Sequence, residues 1–250
     1  MSYGQPKMLI SGGDGKFATQ IIENNTKYQI FAPSKEEMDI THANSVESYI
    51  TANKPDIVLH AAAYTRPMSK HQENPDLSLK INIIGTANIV LSCIKNGAKL
   101  VYISTDYVYP GTEGNYKEDD ALLPYYGNND GITKYGWSKL GGEACTRLHD
   151  NSLILRLCMS NKPFPHPRAA IDIEKSYIYE DDAAKIILKL LNESGIINVG
   201  GPATSAYEFA LNENPDVEQI KASEIKDVKI APNTTMDISK MKKILRKNER

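Results

Sequence analysis

Three side chains in the middle of the sequence could together donate a proton to a substrate oxygen. Thr105 follows an apolar run that ends at Ser104, and Tyr135 and Lys139 come later in the chain. If residues 135–139 are helical, Tyr135 and Lys139 lie one turn apart on the same face, so the ammonium can lower the pKa of the phenol toward neutrality. A hydroxyl at the carboxyl end of a neighbouring parallel strand can hold the substrate oxygen against that phenol, because such sheets bind ligands at this edge. The three residues therefore predict hydride transfer to a carbonyl, with Tyr135 as the proton donor.

A glycine-rich turn near the start of the chain could bind the diphosphate of a dinucleotide. An apolar run before the turn predicts a short buried strand, and a helical pattern begins directly after it. Gly12 allows the tight turn, and Gly15 lets the backbone approach a pyrophosphate at the helix N-terminus. Glycines also form turns that bind no ligand, but here the strand and the helix that the motif requires are both present. The residues of this turn that we expect to contact the cofactor are Gly12, Gly13, Asp14, Gly15, Lys16 and Phe17.

Composition and charge argue against several other classes of protein. The chain has 250 residues, 41% hydrophobic residues and a net charge of −2, which is typical of a soluble globular protein of one or two domains. We expect neither a leader peptide nor an apolar span of about twenty residues, which predicts a cytoplasmic protein without a membrane partner. The basic stretch 240–247 fits the solvated face of a terminal helix better than a nucleic-acid-binding arm. The histidines and cysteines show no ligand spacing, so no metal site is predicted.

Short apolar runs alternate with helical patterns along most of the chain, which predicts an α/β fold with a doubly wound parallel sheet. The predicted strands span residues 8–11, 28–32, 56–60, 100–104, 153–157 and 196–199. The predicted helices span residues 16–24, 44–53, 75–96, 136–148, 181–192 and 206–212, followed by a terminal helix. In such a sheet the loops after the strands converge on one edge, and the candidate residues fall in those loops.

Two irregular stretches interrupt this alternation. Residues 109–130 are rich in Gly, Pro, Asn and Asp, and residues 159–176 contain three prolines without a clear period. Long loops in a compact enzyme usually shape the substrate pocket. We therefore predict a dinucleotide-binding domain of residues 1–158 that also receives 177–200. A small C-terminal substrate-binding lobe would then consist of residues 159–176 and 201–250.

Several short motifs follow one another in a characteristic order. They are the glycine turn 12–18, Ala61-Ala62-Ala63-Tyr64-Thr65, Asn82-Ile83-Ile84-Gly85-Thr86, Ser104-Thr105-Asp106-Tyr107-Val108, Tyr135-x-x-x-Lys139 and Met236-Asp237-Ile238-Ser239-Lys240. In this order the sequence resembles extended short-chain dehydrogenases/reductases with a Rossmann fold, and in particular the dTDP-4-dehydrorhamnose reductase family. The resemblance implies NADPH-dependent reduction of the C4 ketone of a nucleotide-linked 4-keto-6-deoxy sugar, of the dTDP- or UDP-4-dehydrorhamnose type.

The resemblance also implies a role for each matching residue, and a homodimer. Tyr135 would protonate the C4 oxygen, Lys139 would bind the nicotinamide ribose, and Thr105 would hydrogen-bond the substrate carbonyl. The cofactor would be lined by Ala61, Ala62, Ala63, Tyr64 and Ser104, and the substrate by Thr65, Asp106, Tyr107 and Met159. Thr105 could instead cap a loop and Asp106 form an Asx turn, and Asp237 fits an N-cap of the last helix better than a binding role.

The residues after the second predicted strand favour NADP(H) over NAD(H). Ser34 and Lys35 offer a small polar group and a cation, which suit a 2′-phosphate, whereas an acidic residue would bind the ribose 2′-hydroxyl. Two glutamates, Glu36 and Glu37, follow Lys35 directly, so the preference would weaken if the strand ended one residue later. Lys35 could also be a solvated lysine of a turn. The family resemblance places Asp39 and Ile40 against the adenine.

The sequence departs from the reductase family around the fifth strand and ahead of the tyrosine. Arg156-Leu157-Cys158-Met159 carries a methionine where the family has a tryptophan, the lobe that follows is short, and residues 124–134 look inserted.

Two alternatives to a reductase therefore stay open. One is a non-catalytic nucleotide-binding regulatory subunit of the same fold, similar to that of methionine adenosyltransferase. The other is a nucleotide-sugar epimerase, which would need further acid–base residues near Thr105.

Overall fold

The computed structural model describes residues 4–124, 131–226 and 229–248. Its strands in chain order are β1 (Lys7–Ser11), β2 (Gln29–Phe31), β3 (Ile57–His60), β4 (Lys99–Thr105), β5 (Ser152–Ser160), β6 (Arg168–Ala170), β7 (Glu174–Lys175), β8 (Tyr177–Tyr179), β9 (Gly195–Val199), β10 (Thr204–Ser205) and β11 (Glu218–Ile220). Within these residues a seven-stranded parallel sheet has the order β2-β1-β3-β4-β5, with β8 and β9 both paired to β5. The predicted doubly wound parallel sheet is therefore confirmed.

Helices cover both faces of this sheet. The helices in chain order are α1 (Lys16–Asn24), α2 (Ala43–Asn53), α3 (Ser69–Glu73), α4 (Pro75–Ser78), α5 (Thr86–Asn96), α6 (Gly131–Thr146), α7 (Glu180–Leu190), α8 (Ala206–Leu211), which packs in the smaller layer described below, and α9 (Ser239–Asn248). Successive side chains of a strand point to opposite faces. Met8 and Ile10 accordingly join the core formed with α1 and α7, whereas Leu9 joins the core formed with α2 and α5. At the start of α9, Asp237 Oδ1 accepts a hydrogen bond from Ser239 N (2.8 Å), although Ile238, whose carbonyl oxygen accepts the first helical hydrogen bond, occupies the N-cap position itself.

The segment predicted as one helix over residues 75–96 is divided in the structure. A π-helical turn, Leu79–Gly85, separates α4 from α5. The whole span Pro75–Asn96 has 22 residues and is long and apolar enough, by length and composition, to cross a membrane. The expectation that the chain has no such span is therefore wrong. In this structure 44% of the most apolar part of the span is buried, and α5 packs against α2 and α6.

Helix α6 carries the two candidate residues predicted to lie one turn apart. It begins at Gly131 rather than at residue 136, so Tyr135 lies inside the helix as the chemistry requires. Gly136 lets the helix approach the end of β4, because a Cβ there would lie 2.6 Å from the Tyr107 carbonyl oxygen. Residues 125–130, which hold most of the predicted insertion, lie outside the described residues.

A smaller layer covers the carboxyl edge of the sheet. In it β6 pairs with β11 and β7 pairs with β10, so the segment 159–176 contains short strands where the sequence suggested only irregular chain. Its apolar side chains, among them Ile173, Ala210 and Val217, form a cluster separate from the two sheet cores. The proposed division of the chain into a dinucleotide-binding domain and a substrate-binding lobe stays a prediction.

Residues 231–237, here called the clasp, join the smaller layer to the loop after β4. Thr234 N donates to Glu174 O (3.0 Å), and Asp237 N donates to Tyr116 O (2.8 Å). These backbone hydrogen bonds connect the clasp with β7 on one side and with the segment after β4 on the other. The clasp therefore fixes the smaller layer over the edge of the sheet where the candidate residues lie.

Candidate active site

The carboxyl ends of the parallel strands border a cleft of about 1450 Å³. One side of the cleft is formed by the turn between β1 and α1 and by the loops after β3, β4 and β5, and the other side by the smaller layer. The predicted site residues that line it are Gly15, Lys16, Phe17, Ala61, Ala63, Thr65, Ser104, Thr105, Asp106, Tyr107, Tyr135, Lys139 and Met159. Residues predicted to bind cofactor and substrate thus share one space.

Thr105 and Tyr135 line this cleft together. Thr105 ends β4 and is 5% exposed, and α6 carries Tyr135, which is 8% exposed. The Thr105 hydroxyl donates to Asp106 Oδ1 (3.1 Å) and accepts from Tyr107 N (3.3 Å), so Thr105 also caps the short turn after β4, as the capping alternative predicts. The Tyr135 ring lies 5.1 Å from the His71 ring and meets the Tyr107 ring edge-on at 6.1 Å. The phenol is therefore held in place on several sides.

Burial raises the pKa of Tyr135, and the Asp106 carboxylate raises it further. The Thr105 hydroxyl and the charge of Arg66 act in the opposite direction and have a smaller effect. The prediction that the phenol pKa is brought toward neutrality is therefore wrong for this arrangement, because burial and the Asp106 carboxylate outweigh the groups that lower it. At neutral pH the phenol keeps its proton, which is the form that a proton donor needs.

Lys139 is buried against the ring of Tyr102. Its Nζ lies 4.1 Å from the ring centroid, and the Tyr102 hydroxyl donates to the Lys139 carbonyl oxygen (3.3 Å). Burial lowers the pKa of Lys139 to about 7, while the Glu143 carboxylate one turn further along α6 acts in the opposite direction. The Tyr102 ring thus holds the amino group by a cation–π contact, and the charge of Glu143 favours its protonated form.

A buried ion pair that the sequence analysis missed fastens α6 to the sheet. Arg156 on β5 and Glu143 on α6 form two hydrogen bonds, of 2.8 Å and 3.0 Å, and neither side chain is exposed. Glu143 also accepts a hydrogen bond from Ser104 Oγ (2.5 Å), and Arg156 donates to the Tyr109 hydroxyl (2.7 Å). A signal for the pair is present in the sequence, since an arginine inside an apolar strand needs an acidic partner. The pair supports both the strand end and the helix that form the site.

Asn82, in the π-helical turn, is a second residue without a predicted role. Its Nδ2 donates to Tyr64 O (2.9 Å) and to Ser138 Oγ (2.8 Å), and its Oδ1 accepts from Tyr64 N (2.8 Å). Ser138 in turn donates to Tyr135 O (2.8 Å). Asn82 therefore ties the loop after β3 to the helix that carries the candidate proton donor. Tyr64 takes part through its backbone.

Helix α1 presents its N-terminus to the cleft. Gly15 is the N-cap residue, no side chain caps the helix, and the first turn holds no acidic residue. The unpaired backbone N–H groups of such a turn suit a phosphate. A Cβ at Gly15 would meet the Gly12 carbonyl oxygen at 3.1 Å and otherwise open space among the described residues. The residues present therefore fit the diphosphate of a dinucleotide.

Gly12 and Gly13 shape the turn itself. Gly12 has a φ of +77°, and a Cβ there would lie 2.9 Å from Ala62 Cα. A Cβ at Gly13 would lie 2.2 Å from the Ala32 carbonyl oxygen. These two glycines let the turn pack against the chain that follows β2 and β3. Of the described residues predicted to bind cofactor or substrate, those outside the lining of the cleft are Gly12, Gly13, Asp14, Ser34, Lys35, Asp39, Ile40, Ala62 and Tyr64.

The loop after β2 is closed by its own hydrogen bonds. Ser34 N donates to Glu37 Oε2 (2.8 Å), and Glu37 N donates to Ser34 Oγ (3.3 Å). Asp39 Oδ1 accepts from the backbone N–H (2.9 Å) and the hydroxyl (2.8 Å) of Thr41. Ser34 and Asp39 therefore have local partners, and the predicted preference for NADP(H) depends on the exposed Lys35.

The sequence matches the RmlD substrate binding domain family over residues 6–159. The chain belongs to this family. It is 30% identical over 155 residues to dTDP-4-dehydrorhamnose reductase from Aggregatibacter actinomycetemcomitans, a stretch that covers 60% of this chain and 50% of that protein. It is also 32% identical over 111 residues to methionine adenosyltransferase 2 subunit beta from Pongo abelii, covering 44% of this chain and 31% of that protein. The chain thus spans half or less of the length of these curated relatives.

The structure supports the same assignment. It is similar to the crystal structure of dTDP-4-dehydrorhamnose reductase from Bacillus anthracis in complex with NADP, with a TM-score of 0.83 and 26% sequence identity. That likeness covers 95% of this chain and 92% of the other. The family resemblance and the Rossmann-type fold predicted from the motifs are therefore confirmed. The RmlD match contains Thr105, Tyr135 and Lys139, whereas the clasp and most of the smaller layer lie beyond it.

Proposed function

We propose that this RmlD-family protein is an NADPH-dependent reductase of the C4 ketone of a nucleotide-linked 4-keto-6-deoxy sugar, of the dTDP- or UDP-4-dehydrorhamnose type. The observation that carries the proposal is the placement of Thr105, Tyr135 and Lys139 together in a cleft that also receives the N-terminus of α1. The similarity to dTDP-4-dehydrorhamnose reductases supports the choice of substrate class.

The chain's own residues would hold the cofactor and leave its reactive end free. The N-terminus of α1 at Gly15 would bind the diphosphate, and Ala61 and Ala63 would border the rest of the molecule. Lys139 would bind the nicotinamide ribose, since it lines the same cleft. When bound, the nicotinamide supplies a hydride for C4 of the sugar.

Tyr135 would give its proton to the C4 oxygen as the ketone becomes an alcohol. Burial keeps the phenol protonated, and the Thr105 hydroxyl beside it would orient the substrate oxygen. The charge of Lys139, on the same face of α6, favours the phenolate that this transfer leaves behind. Asp106 is bound to other side chains, which leaves it unsuited to the additional acid–base step that an epimerase requires.

The first prediction concerns Tyr135→Phe, which removes the proton and keeps the ring. We expect kcat to fall by about 10²- to 10⁴-fold, because this is what a positioned acid usually contributes. Oxidation of NADPH would be measured with dTDP- and UDP-4-keto-6-deoxy sugars, and cofactor affinity by fluorescence titration. Tyr28→Phe is a matched control, since Tyr28 is a buried tyrosine just before β2 and lies outside the lining of the cleft. Retained turnover in Tyr135→Phe would contradict the assignment of the acid.

A second candidate is a non-catalytic nucleotide-binding regulatory subunit. The similarity to methionine adenosyltransferase 2 subunit beta favours it, as does Met159 in place of the family's tryptophan. The same assay separates the two candidates. A protein that binds NADPH and turns over none of the sugars would be a binding module. A homodimer, which rests on the family resemblance, and a cytoplasmic location belong to the main proposal.

A further inference from the structure

Asp106 and Lys175 form a buried ion pair next to the reacting groups, and the proposed reaction assigns this pair no role. Asp106 Oδ2 accepts a hydrogen bond from Lys175 Nζ at 2.7 Å, and the two side chains are 1% and 4% exposed. Thr234 of the clasp donates to the same oxygen. Lys175 Nζ also lies 3.8 Å from the centroid of the Tyr107 ring. A lysine of the smaller layer thus supplies positive charge to a carboxylate at the end of β4.

Asp106 lies close to the candidate proton donor. The Thr105 hydroxyl donates to Asp106 Oδ1 (3.1 Å), both residues line the cleft with Tyr135, and the Asp106 carboxylate raises the pKa of Tyr135. After Tyr135 gives its proton away, a phenolate stands next to this carboxylate. Two negative charges in a buried site oppose each other strongly, because the medium screens them poorly.

We propose that Lys175 is a positioning residue for the reduction, which neutralises Asp106 so that negative charge can develop on Tyr135. The inference rests on the proposed function. In the step concerned, hydride from NADPH adds to C4, the O–H bond of Tyr135 breaks, and a new O–H bond forms on the C4 oxygen. NADPH becomes NADP⁺, the ketone becomes an alcohol, and Lys175 keeps its proton throughout.

Among the described residues, the groups that surround Asp106 supply no second buried cation to its carboxylate. Those facing Asp106, Lys175 or Tyr135 are Tyr107 after β4, Cys158 on β5, Tyr177 on β8, Thr234 of the clasp, His71 of α3, Arg66 after β3 and, on the same face of α6 as Tyr135, Lys139. Burial raises the pKa of Tyr107, Cys158 and Tyr177 and lowers the pKa of His71, so these four groups are neutral. Lys139 lies against the Tyr102 ring, near Glu143, rather than against Asp106. Arg66 is exposed at the rim, where water screens its charge. Lys175 is therefore the cation placed to offset Asp106.

The experiment compares three variants in NADPH oxidation with a sugar that the wild type reduces. Lys175→Met removes the charge, Lys175→Arg keeps it, and Asp106→Asn/Lys175→Met removes both charges. Lys185→Met, a change at an exposed lysine of α7, is the matched control. Circular dichroism and NADPH titration establish that each variant is folded and binds the cofactor.

We expect Lys175→Met to lower kcat roughly tenfold or more, because each pKa unit added to Tyr135 weakens the acid by a factor of ten. The loss should fall on kcat rather than on KM for the sugar. The ratio of wild-type to Lys175→Met kcat should shrink as the pH falls, since the unpaired buried carboxylate then takes up a proton. Lys175→Arg should recover most of the rate, and Lys185→Met should not change it.

The double variant keeps the proposal testable where Lys175→Met fails to fold. It leaves no buried charge unpaired, and its kcat should lie well above that of Lys175→Met, or be readily measurable where the single variant is unfolded. Three results would overturn the inference and leave the proposed function in place. The double variant could be no faster than a folded Lys175→Met, the loss in Lys175→Met could be confined to KM, or the ratio of wild-type to Lys175→Met kcat could be independent of pH. Absence of turnover in the wild type would overturn the proposed function together with it.

Discussion

Burial acts in opposite directions on the two side chains of α6 that line the cleft. It raises the pKa of Tyr135 and lowers the pKa of Lys139 to about 7, because in each case it disfavours the charged form. At neutral pH the phenol is therefore fully protonated, whereas only part of the amine carries a proton. Their spacing in the sequence predicts the shared face, but the extent of burial, which fixes these protonation states, depends on side chains from other elements.

The protonation of Lys139 gives a prediction for the pH dependence of turnover. We expect kcat for NADPH oxidation to fall as the pH rises through about 7, since the amine then loses the charge that favours a phenolate on Tyr135. Lys139→Arg keeps its charge at every accessible pH, so this alkaline loss should disappear in that variant. A wild-type profile that stays flat through neutral pH would show that Lys139 does not titrate there.

Two glycines in the turn between β1 and α1, Gly13 and Gly15, have different roles. Gly13 lies against the backbone that follows β2, whereas Gly15 faces the cleft at the start of α1. The first position is closed by the protein itself, and the second is open toward a ligand. The glycine-rich turn thus contains one glycine that is needed for packing, Gly13, and one that borders the predicted diphosphate site, Gly15.

Substitution of each glycine by alanine tests this division. Gly13→Ala should lower the free energy of unfolding by about 1–3 kcal/mol, because its methyl group would overlap the Ala32 carbonyl oxygen. Gly15→Ala should change stability less and weaken NADPH binding, since its methyl group would stand where the diphosphate approaches. Urea denaturation and fluorescence titration measure the two effects. Equal effects on stability and on binding at both positions would contradict the division.

Six of the seven strands of the sheet were predictable because each is a short apolar run bounded by loops, whereas β8 was not predicted. The strands predicted at residues 8–11 and 100–104 match β1 and β4 within one residue at either end. The pairing of β6 with β11 was not predictable, because their residues lie far apart in the chain and show no alternation. The π-helical turn was not predictable either. Asn82 forms hydrogen bonds with Tyr64 in another loop, and contacts between residues distant in the chain produce no periodic pattern in the sequence.

The candidate site was predictable only in part. Thr105, Tyr135 and Lys139 belong to motifs that can be recognised in one sequence. Lys175 carries no such motif, and its meeting with Asp106 depends on how the smaller layer packs on the sheet.

The layers of the molecule are joined by polar groups that water does not reach. Among them, His60 connects β1, β3 and α5, with its Nδ1 2.6 Å from Ser11 Oγ and its Nε2 3.0 Å from Thr86 Oγ1. Burial lowers the pKa of His60 to about 3, and the charge of Lys139 acts in the same direction. The folded protein therefore holds this ring neutral, and only the unfolded chain takes up a proton there near neutral pH.

This difference predicts that the whole molecule becomes less stable in mild acid. The contribution of His60 is fully present above the unfolded pKa of 6.5 and is lost as the pH falls toward about 3. Between pH 7 and pH 5 we expect a loss of about 2 kcal/mol in the free energy of unfolding. Urea denaturation at the two pH values measures it. His60→Gln should lose less stability over this range, whereas replacement of the exposed His42 should leave the loss unchanged.

The ion pair below the reacting groups also constrains how the protein is made. Asp106 is bound by Lys175, 69 residues further along the chain, and by Thr234, which follows it by 128 residues. Synthesis on the ribosome proceeds from the N-terminus, and early segments can fold before later ones are available. When Thr105 and Tyr135 have already been synthesised, the nascent chain still lacks Lys175 and Thr234, the two residues whose side chains bind Asp106. The site is therefore completed only after translation has passed Thr234, so a partly made chain cannot carry out the proposed reaction with its full set of charges.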